Sequence, residues 1–134
     1  DSGAGPRIMT PHPGEAARLL GTTAAVVQAD RFAAIEELQA RYSATVVLKG
    51  NGSLIADREQ TLLCDYGNPG MASGGMGDVL SGVIGSLWAQ GLTTIEAAAL
   101  GTCLHGAAAD IAAEEGQRGL LATDLLPRLR ALLG

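Results

Sequence analysis

The sequence predicts an α/β fold, in which a central sheet is flanked by helices. Thr45–Leu48 (TVVL) is a continuous apolar, β-branched run of the kind found in strands that are buried on both faces. After Asp78 the apolar residues instead recur at i, i+1, i+4, i+5, i+8 and i+9, which is typical of a helix with one broad buried face. A buried strand and a buried helix within one short chain indicate layered α/β packing.

The other elements are predicted from shorter patterns. Residues 8–10 form a very short apolar stretch that Pro11 and Pro13 bring to an end. We expect helices over residues 15–20, closed by Gly21, and over residues 23–42. Two strands, at residues 53–55 and 61–64, should form a hairpin around the polar turn ADREQ. Beyond the glycine-rich region, a helix capped by Thr93 or Thr94 should run to Gly116, and a last helix should span residues 122–133.

Composition restricts the class of protein. The chain has 134 residues, of which 47% are hydrophobic, enough for one domain with a core. The net charge is −5 without a Lys/Arg cluster, so we expect no nucleic-acid partner. Residues 79–95 carry no charge, but glycines and polar side chains interrupt them, so we expect no membrane span. The opening DSGAGPR does not resemble a signal peptide, which favours a cytoplasmic protein. Cys64 and Cys103 lack metal-ligand spacing and are predicted to be buried, reduced thiols.

Function is predicted from residues 67–82, which read GNPGMASGGMGDVLSG. Five glycines precede the single acid of this stretch and allow the backbone to approach a ligand closely. They open a helix, whose unpaired N–H groups and dipole favour a bound phosphate. Asp78 lies beside this anion hole as a candidate base, while the alternative interpretation is a carboxylate that only caps the helix.

Two further segments contain candidate site residues. In TPHPGE, two prolines stiffen the chain around His12 and orient it, although a histidine without a role remains the alternative. The segment KGNGS follows the predicted buried strand, but its lysine precedes the glycines, so it is not a Walker A loop and is a weak phosphate signal alone. His105 lies on an alanine-rich helix, where we interpret it as structural.

Together, TPHPGE, VVLKGNGS and NPGMASGGMGDVLSG resemble, in order and spacing, the ADP-dependent NAD(P)H-hydrate dehydratases of the ribokinase-like superfamily. The resemblance implies the C-terminal half of a three-layer sandwich. It also implies repair of nicotinamide cofactors, by dehydration of (6S)-NAD(P)H hydrate coupled to cleavage of ADP, or of ATP in eukaryotic members. Mg²⁺ is expected with the nucleotide.

The resemblance also implies roles for individual residues. Asp78 matches the superfamily's catalytic base and would contact the substrate, as would His12. The nucleotide-binding positions would be Lys49, Gly50, Asn51, Gly52, Ser53 and Gly77. The anion hole would comprise Gly74, Gly75, Met76 and Gly77. No residue is assigned to bind a metal directly.

Two departures from the family modify these expectations. Met76 stands where many superfamily members have Ser, Thr or Ala, which removes a hydroxyl but keeps the backbone N–H. The family's domain is roughly twice as long, so residues 1–134 are expected to be one partial domain that lacks the N-terminal half. Its strands would then need neighbours, and we expect association into a homo-oligomer.

Two other functions are compatible with the same motifs. A ribokinase-like kinase for a small alcohol, such as a hydroxymethylpyrimidine or a thiazole, would share the glycine-rich turn and the acid but would not be expected to carry TPHPGE. Alternatively, the chain is a nucleotide-binding fragment that has no activity by itself. Turnover of hydrated NADH and binding of ADP distinguish the three.

Overall fold

The computed structural model describes residues 5–50, 52–65 and 76–113, and it confirms the α/β prediction. A four-stranded sheet has helices on both faces. The strands are β1 (Ile8–Met9), β2 (Thr45–Leu48), β3 (Ser53–Ala56) and β4 (Thr61–Cys64), and the helices are α1 (Pro13–Leu20), α2 (Ala24–Ala29), α3 (Arg31–Tyr42), α4 (Met76–Ala89) and α5 (Thr94–Ala113).

The sheet has the strand order β1-β2-β3-β4, and β2 is its organising strand. It pairs in parallel with β1 and antiparallel with β3, which in turn pairs antiparallel with β4. All four residues of β2 are buried. Val46 and Leu48 pack with α1, α2 and α3, whereas Val47 packs with α4 and α5. Because side chains alternate along a strand, β2 contributes to the cores on both sides of the sheet.

The predicted helix over residues 23–42 is wrong in one respect, because the structure divides it at Asp30. Thr23 caps α2, and its hydroxyl accepts a hydrogen bond from the Val26 amide. Asp30 ends α2 and caps α3, where its carboxylate accepts from the Ala33 amide at 3.0 Å. The Asp30 carboxylate thus takes the place of a backbone acceptor for the Ala33 amide. The chain turns at Asp30, although the apolar pattern of the sequence continues through it.

Other helix ends follow the sequence signals. Gly21 closes α1 in the left-handed region, with φ of 69°, as predicted. Thr93 and Glu96 form a reciprocal capping box at the start of α5. The final part of the predicted 94–116 helix and the whole of the predicted 122–133 helix lie outside the described residues.

Cys64 at the end of β4 and Cys103 in α5 face each other across the α5 side of the sheet. Their Cα atoms are 5.7 Å apart, which is within the range that a disulfide requires, and their sulfur atoms are in contact. The sequence predicted buried, reduced thiols but not that the two cysteines would meet. Two cysteines separated by 39 positions give no sign of pairing in the sequence.

Helices α4 and α5 pack closely because α5 carries a glycine at their contact. A Cβ added at Gly101 would lie 2.7 Å from Ile84 Cγ1 and 3.3 Å from Ile84 Cα. Near the start of α4, the buried Met76 side chain packs on small residues of α5, namely Ala108, Ala109 and Ala112. Within the described ranges, no helix is both long enough and apolar enough to cross a membrane.

The close contact at Gly101 leads to a stability prediction. Gly101→Ala should lower the free energy of unfolding by about 1–3 kcal/mol, because the overpacking at Ile84 outweighs the gain in helix propensity. The control is Gly85→Ala in α4, where an added Cβ meets nothing within 4 Å. It should raise stability by about 0.5–1 kcal/mol. Urea denaturation measures both, and equal effects of the two substitutions would contradict the close packing.

Candidate functional site

Three segments that the sequence singled out meet at the end of β2. The Lys49 amide donates to the Pro11 carbonyl at 3.0 Å, which places TPHPGE beside KGNGS. A Cβ added at Gly77 would lie 3.3 Å from Lys49 Nζ, so the ammonium lies against the first turn of α4. The candidate site is therefore built from the residues just before α1, the residues after β2 and the start of α4.

The position of Lys49 follows from the register of β2. Thr45 and Val47 face α4 and α5, and the Thr45 hydroxyl donates to the Thr94 hydroxyl at 2.8 Å. Lys49 continues the same alternation one residue beyond the strand. Its long side chain is thus directed toward the α4 side of the sheet, where Gly77 leaves room for the ammonium.

His12 is the N-cap of α1. Its Nδ1 accepts from the Glu15 amide at 3.1 Å, while its own amide donates to Glu15 Oε1 at 3.0 Å. An Nδ1 that accepts a hydrogen bond assigns the proton of the neutral imidazole to Nε2. The His12 side chain is about half exposed. We expected the two prolines to orient His12, and the structure adds a capping box to them.

Glu15 supplies a negative charge beside this histidine. The hydrogen bond from the His12 backbone is the main cause that holds the pKa of Glu15 below its usual value. Burial opposes this effect and is the next largest contribution, while smaller electrostatic contributions from His12, Lys49 and Arg18 lower the pKa of Glu15 further. His12 Nε2 also lies 3.4 Å from Glu15 Oε1. Glu15 is consequently ionised at neutral pH and helps to hold the imidazole in place.

The segment after β2 depends on glycine at a specific position. Gly52 has φ of 77°, in the left-handed region that favours glycine. A Cβ there would lie 3.3 Å from Leu63 Cδ1 and 3.5 Å from Asp65 Oδ1. Ser53 then begins β3. Asn51, which the sequence also assigned to nucleotide binding, lies outside the described residues.

The start of α4 carries the candidate base. Met76 is buried as the first helical residue, Gly77 is half-buried, and the Asp78 side chain is exposed. The first N–H groups of a helix have no partner within the helix, so this end favours an anion. Gly74 and Gly75 of the predicted anion hole lie outside the described residues. The exposed Asp78 carboxylate therefore lies at a helix end whose N–H groups and dipole favour an anion.

His105 of α5 lies beneath this turn. Burial lowers the pKa of His105 to about 4, the Lys49 charge adds to the lowering, and a hydrogen bond with the Met76 backbone opposes it. The imidazole is therefore neutral at pH 7. Its Nε2 is buried and has no hydrogen-bond partner in the described part of the chain. The burial agrees with the structural role predicted for His105, but its contact with the site was not predicted.

Arg31 is a residue of this region that the sequence analysis missed. It begins α3, and its Nη2 donates to the Gly52 carbonyl at 2.6 Å and to the Leu48 carbonyl at 3.3 Å. Burial lowers its pKa from the usual value. Nothing in the sequence connects Arg31 with a segment about 20 residues later, since only the folded chain brings them together.

A second concave region is less suitable for this chemistry. A cleft of about 400 Å³ lies at the opposite end of β2, where its lining includes Arg7, Thr45, Asp57, Arg58 and Thr94. Open α/β sheets bind ligands outside the carboxyl ends of their parallel strands, which is the Lys49 end here. Among the described residues, no three His, Cys, Asp or Glu side chains gather as metal ligands.

Comparison with known proteins is consistent with this site. A family model described as NAD(P)H-hydrate dehydratase matches residues 2–130. The bifunctional NAD(P)H-hydrate repair enzyme Nnr of Vibrio cholerae is 59% identical over 95% of this chain, which covers 26% of that protein. The ADP-dependent (S)-NAD(P)H-hydrate dehydratase of Neisseria meningitidis is 53% identical over 93% of this chain, which covers 43% of that protein. The chain thus spans less than half the length of these relatives.

Solved structures agree with the sequence relatives. The ADP/ATP-dependent NAD(P)H-hydrate dehydratase from Bacillus subtilis, co-crystallised with ATP and Mg²⁺, has a TM-score of 0.90 at 34% identity, with 96% of this chain and 47% of that chain covered. A ribokinase-like superfamily protein from Enterococcus faecalis has a TM-score of 0.81 at 31% identity, with 94% and 43% covered. The fold is therefore ribokinase-like, and the chain belongs to the NAD(P)H-hydrate dehydratase family.

Proposed function

We propose that this chain is the C-terminal part of a domain that dehydrates (6S)-NAD(P)H hydrate, coupled to cleavage of ADP to AMP and phosphate. The observation that carries the proposal is the contact of the Lys49 ammonium with Gly77, next to the exposed Asp78. This contact unites an anion site with a proton acceptor, as transfer of a phosphoryl group to a hydroxyl requires. A relative named as an ADP-dependent dehydratase supports the choice of substrates.

In this proposal the segment after β2 holds the nucleotide. Lys49 supplies a positive charge for the phosphates. Gly50 and Gly52 let the backbone of the segment pack against Arg31 and against Leu63, respectively, where a side chain would be crowded. Asn51 and Ser53 complete the segment. Gly77 is half-buried at the start of α4, so its amide and those of its neighbours Gly74, Gly75 and Met76 would stabilise charge on the moving phosphoryl group.

Mg²⁺ is proposed to bind with the nucleotide. Among the described residues no three possible ligands gather, and this fits an ion held mainly by substrate phosphates and waters, as is common for Mg²⁺. No residue of this chain is proposed as a direct ligand, since Asp78 is kept as the base. When bound, the ion would neutralise phosphate charge, while Lys49 and the α4 amides position the same groups.

Asp78 is proposed as the general base. Its carboxylate would take the proton from the hydroxyl of the hydrate as the oxygen of that hydroxyl accepts the terminal phosphoryl group of ADP and AMP departs. The phosphorylated carbon would then lose phosphate as its C–O bond breaks, and loss of a neighbouring proton would restore the double bond. Water is thus removed as phosphate, and the energy comes from the cleaved phosphoanhydride.

His12 is proposed to contact the hydrated nicotinamide. Capping fixes its Nδ1, and Nε2–H, which lies 3.4 Å from Glu15 Oε1, is the donor that would turn to a substrate oxygen. The Lys49 amide bond to Pro11 holds this donor beside the nucleotide segment. A small-alcohol kinase would need the same Asp78 but gives no reason for the His12 capping box beside the site.

We further propose that the strands of this chain are completed by additional chain, from the missing half of the domain and through association of copies. Leu63 of the edge strand β4 is 60% exposed and Leu62 is 37% exposed. An edge strand with exposed leucines is a surface that proteins usually cover. The described edge therefore supports a larger assembly.

The test of the proposed function is a variant of Asp78. Asp78→Asn should lower kcat for hydrated NADH with ADP by about 10²–10⁴-fold, since the proton acceptor is lost. Asn caps helices as well as Asp does, so the thermal unfolding temperature should be unchanged. ADP should bind as well or more tightly, because a negative charge near its phosphates is gone. If the variant turned over the hydrate at the parent rate, Asp78 would be only a helix cap. If the parent protein phosphorylated small alcohols and did not act on the hydrate, the kinase alternative would be favoured.

The double role of His12 allows capping to be separated from substrate binding. His12→Asn keeps a side-chain cap, whereas His12→Ala loses it, at a cost of about 1 kcal/mol. Both variants lack Nε2 and should raise KM for the hydrate to a similar extent without changing the Kd for ADP. Unfolding temperatures should fall for the alanine variant and much less for the asparagine variant. If His12→Asn keeps the parent KM, the histidine is a cap and not a substrate contact.

The nucleotide segment is tested by a pair of glycines with the same backbone conformation. Gly52 and Gly21 have φ of 77° and 69°. Alanine at either position forces a side chain into the left-handed region and costs about 1–2 kcal/mol of stability. Gly52→Ala should in addition weaken ADP binding by about 1–3 kcal/mol, which is the scale of a disturbed ligand contact. Calorimetry with ADP that gave equal affinities for the two variants would count against the segment as the nucleotide site.

A further inference from the structure

Arg31 holds both ends of the segment after β2. Its Nη2 donates to the carbonyl of Leu48, the last residue of β2, and to the carbonyl of Gly52, just before β3. The 2.6 Å bond to Gly52 is short for a nitrogen donor, as expected for a charged guanidinium. The residues between these two carbonyls are Lys49, Gly50 and Asn51.

The middle of the segment also depends on the guanidinium. A Cβ added at Gly50 would lie 3.0 Å from Arg31 Nη2 and 3.1 Å from Cζ. The backbone of Gly50 therefore lies close to the guanidinium, and a residue with a Cβ atom would push the two apart. Glycine at this position lets the segment wrap around Arg31.

The Leu48–Lys49 peptide unit links Arg31 to the other half of the site. In a trans peptide the C=O and N–H groups point in opposite directions. The Leu48 carbonyl faces Arg31, and the Lys49 amide faces the Pro11 carbonyl at 3.0 Å. One rigid unit is thus held from both sides, and its orientation sets the direction in which the Lys49 side chain leaves the backbone.

A second arginine of α3 shows that this arrangement is specific to Arg31. Arg41 also donates to a backbone carbonyl, that of Leu19 at the end of α1, and it pairs with Glu37 on the exposed surface. It makes a comparable contact between elements, but away from the residues after β2. Burial lowers the pKa of Arg31, and its guanidinium binds backbone of the proposed site, whereas Arg41 is exposed.

We propose that Arg31 is a positioning residue for nucleotide binding: by donating to the carbonyls of Leu48 and Gly52, it holds the backbone of Lys49 and Gly50 in the conformation that directs Lys49 to Gly77. This inference rests on the proposed function of that segment. It predicts that a change of Arg31 weakens binding of the nucleotide but not binding of the hydrate, because His12 is oriented by its own capping box.

The experiment compares the variants Arg31→Met, Arg31→Lys and Arg41→Met, each made in the complete protein that contains this chain. Arg31→Met should raise the Kd for ADP by calorimetry and KM for ADP at least 10-fold, with less than a threefold change in KM for the hydrate. Arg31→Lys should give an intermediate Kd, since one ammonium can reach one carbonyl but does not replace the fork. Arg41→Met should keep the parent Kd for ADP, with a comparable shift in unfolding temperature.

A measurement without ligand supports the same comparison. Amide hydrogen exchange at Lys49 should be at least 10-fold faster in Arg31→Lys than in the parent protein and unchanged in Arg41→Met, because the Leu48–Lys49 peptide is held from one side only. If Arg31→Met does not fold, Arg31→Lys carries the test through its ADP affinity and this exchange rate.

The outcomes separate the two proposals. A parent protein that binds ADP and dehydrates the hydrate, with an unchanged ADP affinity in the Arg31 variants, overturns the role of Arg31 and leaves the proposed function intact. Equal losses of ADP affinity in Arg31→Met and Arg41→Met also overturn it, because they indicate a general loss of stability. A parent that neither binds ADP nor acts on the hydrate overturns the proposed function and this inference with it.

Discussion

The burial of β2 on both faces is the constraint on which the rest of the structure depends. Every side chain of the strand is buried, so helices must cover both sides of the sheet. The alternation of side chains along β2 also determines where the candidate site lies, because Lys49 follows Thr45 and Val47 on the face of α4 and α5. A shift of one residue in the register of β2 would direct Lys49 toward the α3 side, away from Gly77. The core and the candidate site thus have the same origin.

Much of this arrangement could be predicted from local sequence. TVVL indicated the buried strand at its observed bounds, and Gly21 and Thr93 indicated helix ends that the structure confirms. Local sequence patterns do not predict the positions at which a side chain takes the place of a backbone hydrogen-bond partner. Asp30 interrupts a helix whose apolar pattern continues, and His12 caps α1 although histidine is not among the usual caps. Glu15 three residues after His12 is the signal that could have revealed the capping box.

The remainder depends on contacts between distant parts of the chain, which no single-sequence pattern encodes. Arg31 meets carbonyls 17 and 21 residues later, and Cys64 meets Cys103 only because β4 packs near α5. Gly101 is similar, since its need for a small residue comes from Ile84 of another helix. The sequence could therefore indicate candidates for binding and catalysis, whereas the side chains that contact those candidates from distant parts of the chain became apparent only in the fold.

The charges around the candidate site are compatible with the proposed binding of an anion by an acidic protein. The net charge of −5 is spread over the chain, and screening limits exposed charges to a range of about 10 Å. The ammonium of Lys49 and the N–H groups of α4 therefore dominate locally. His105 packs against Met76, two residues before Asp78, and burial keeps it neutral at pH 7. The buried imidazole thus supports the first turn of α4 without adding a second positive charge there.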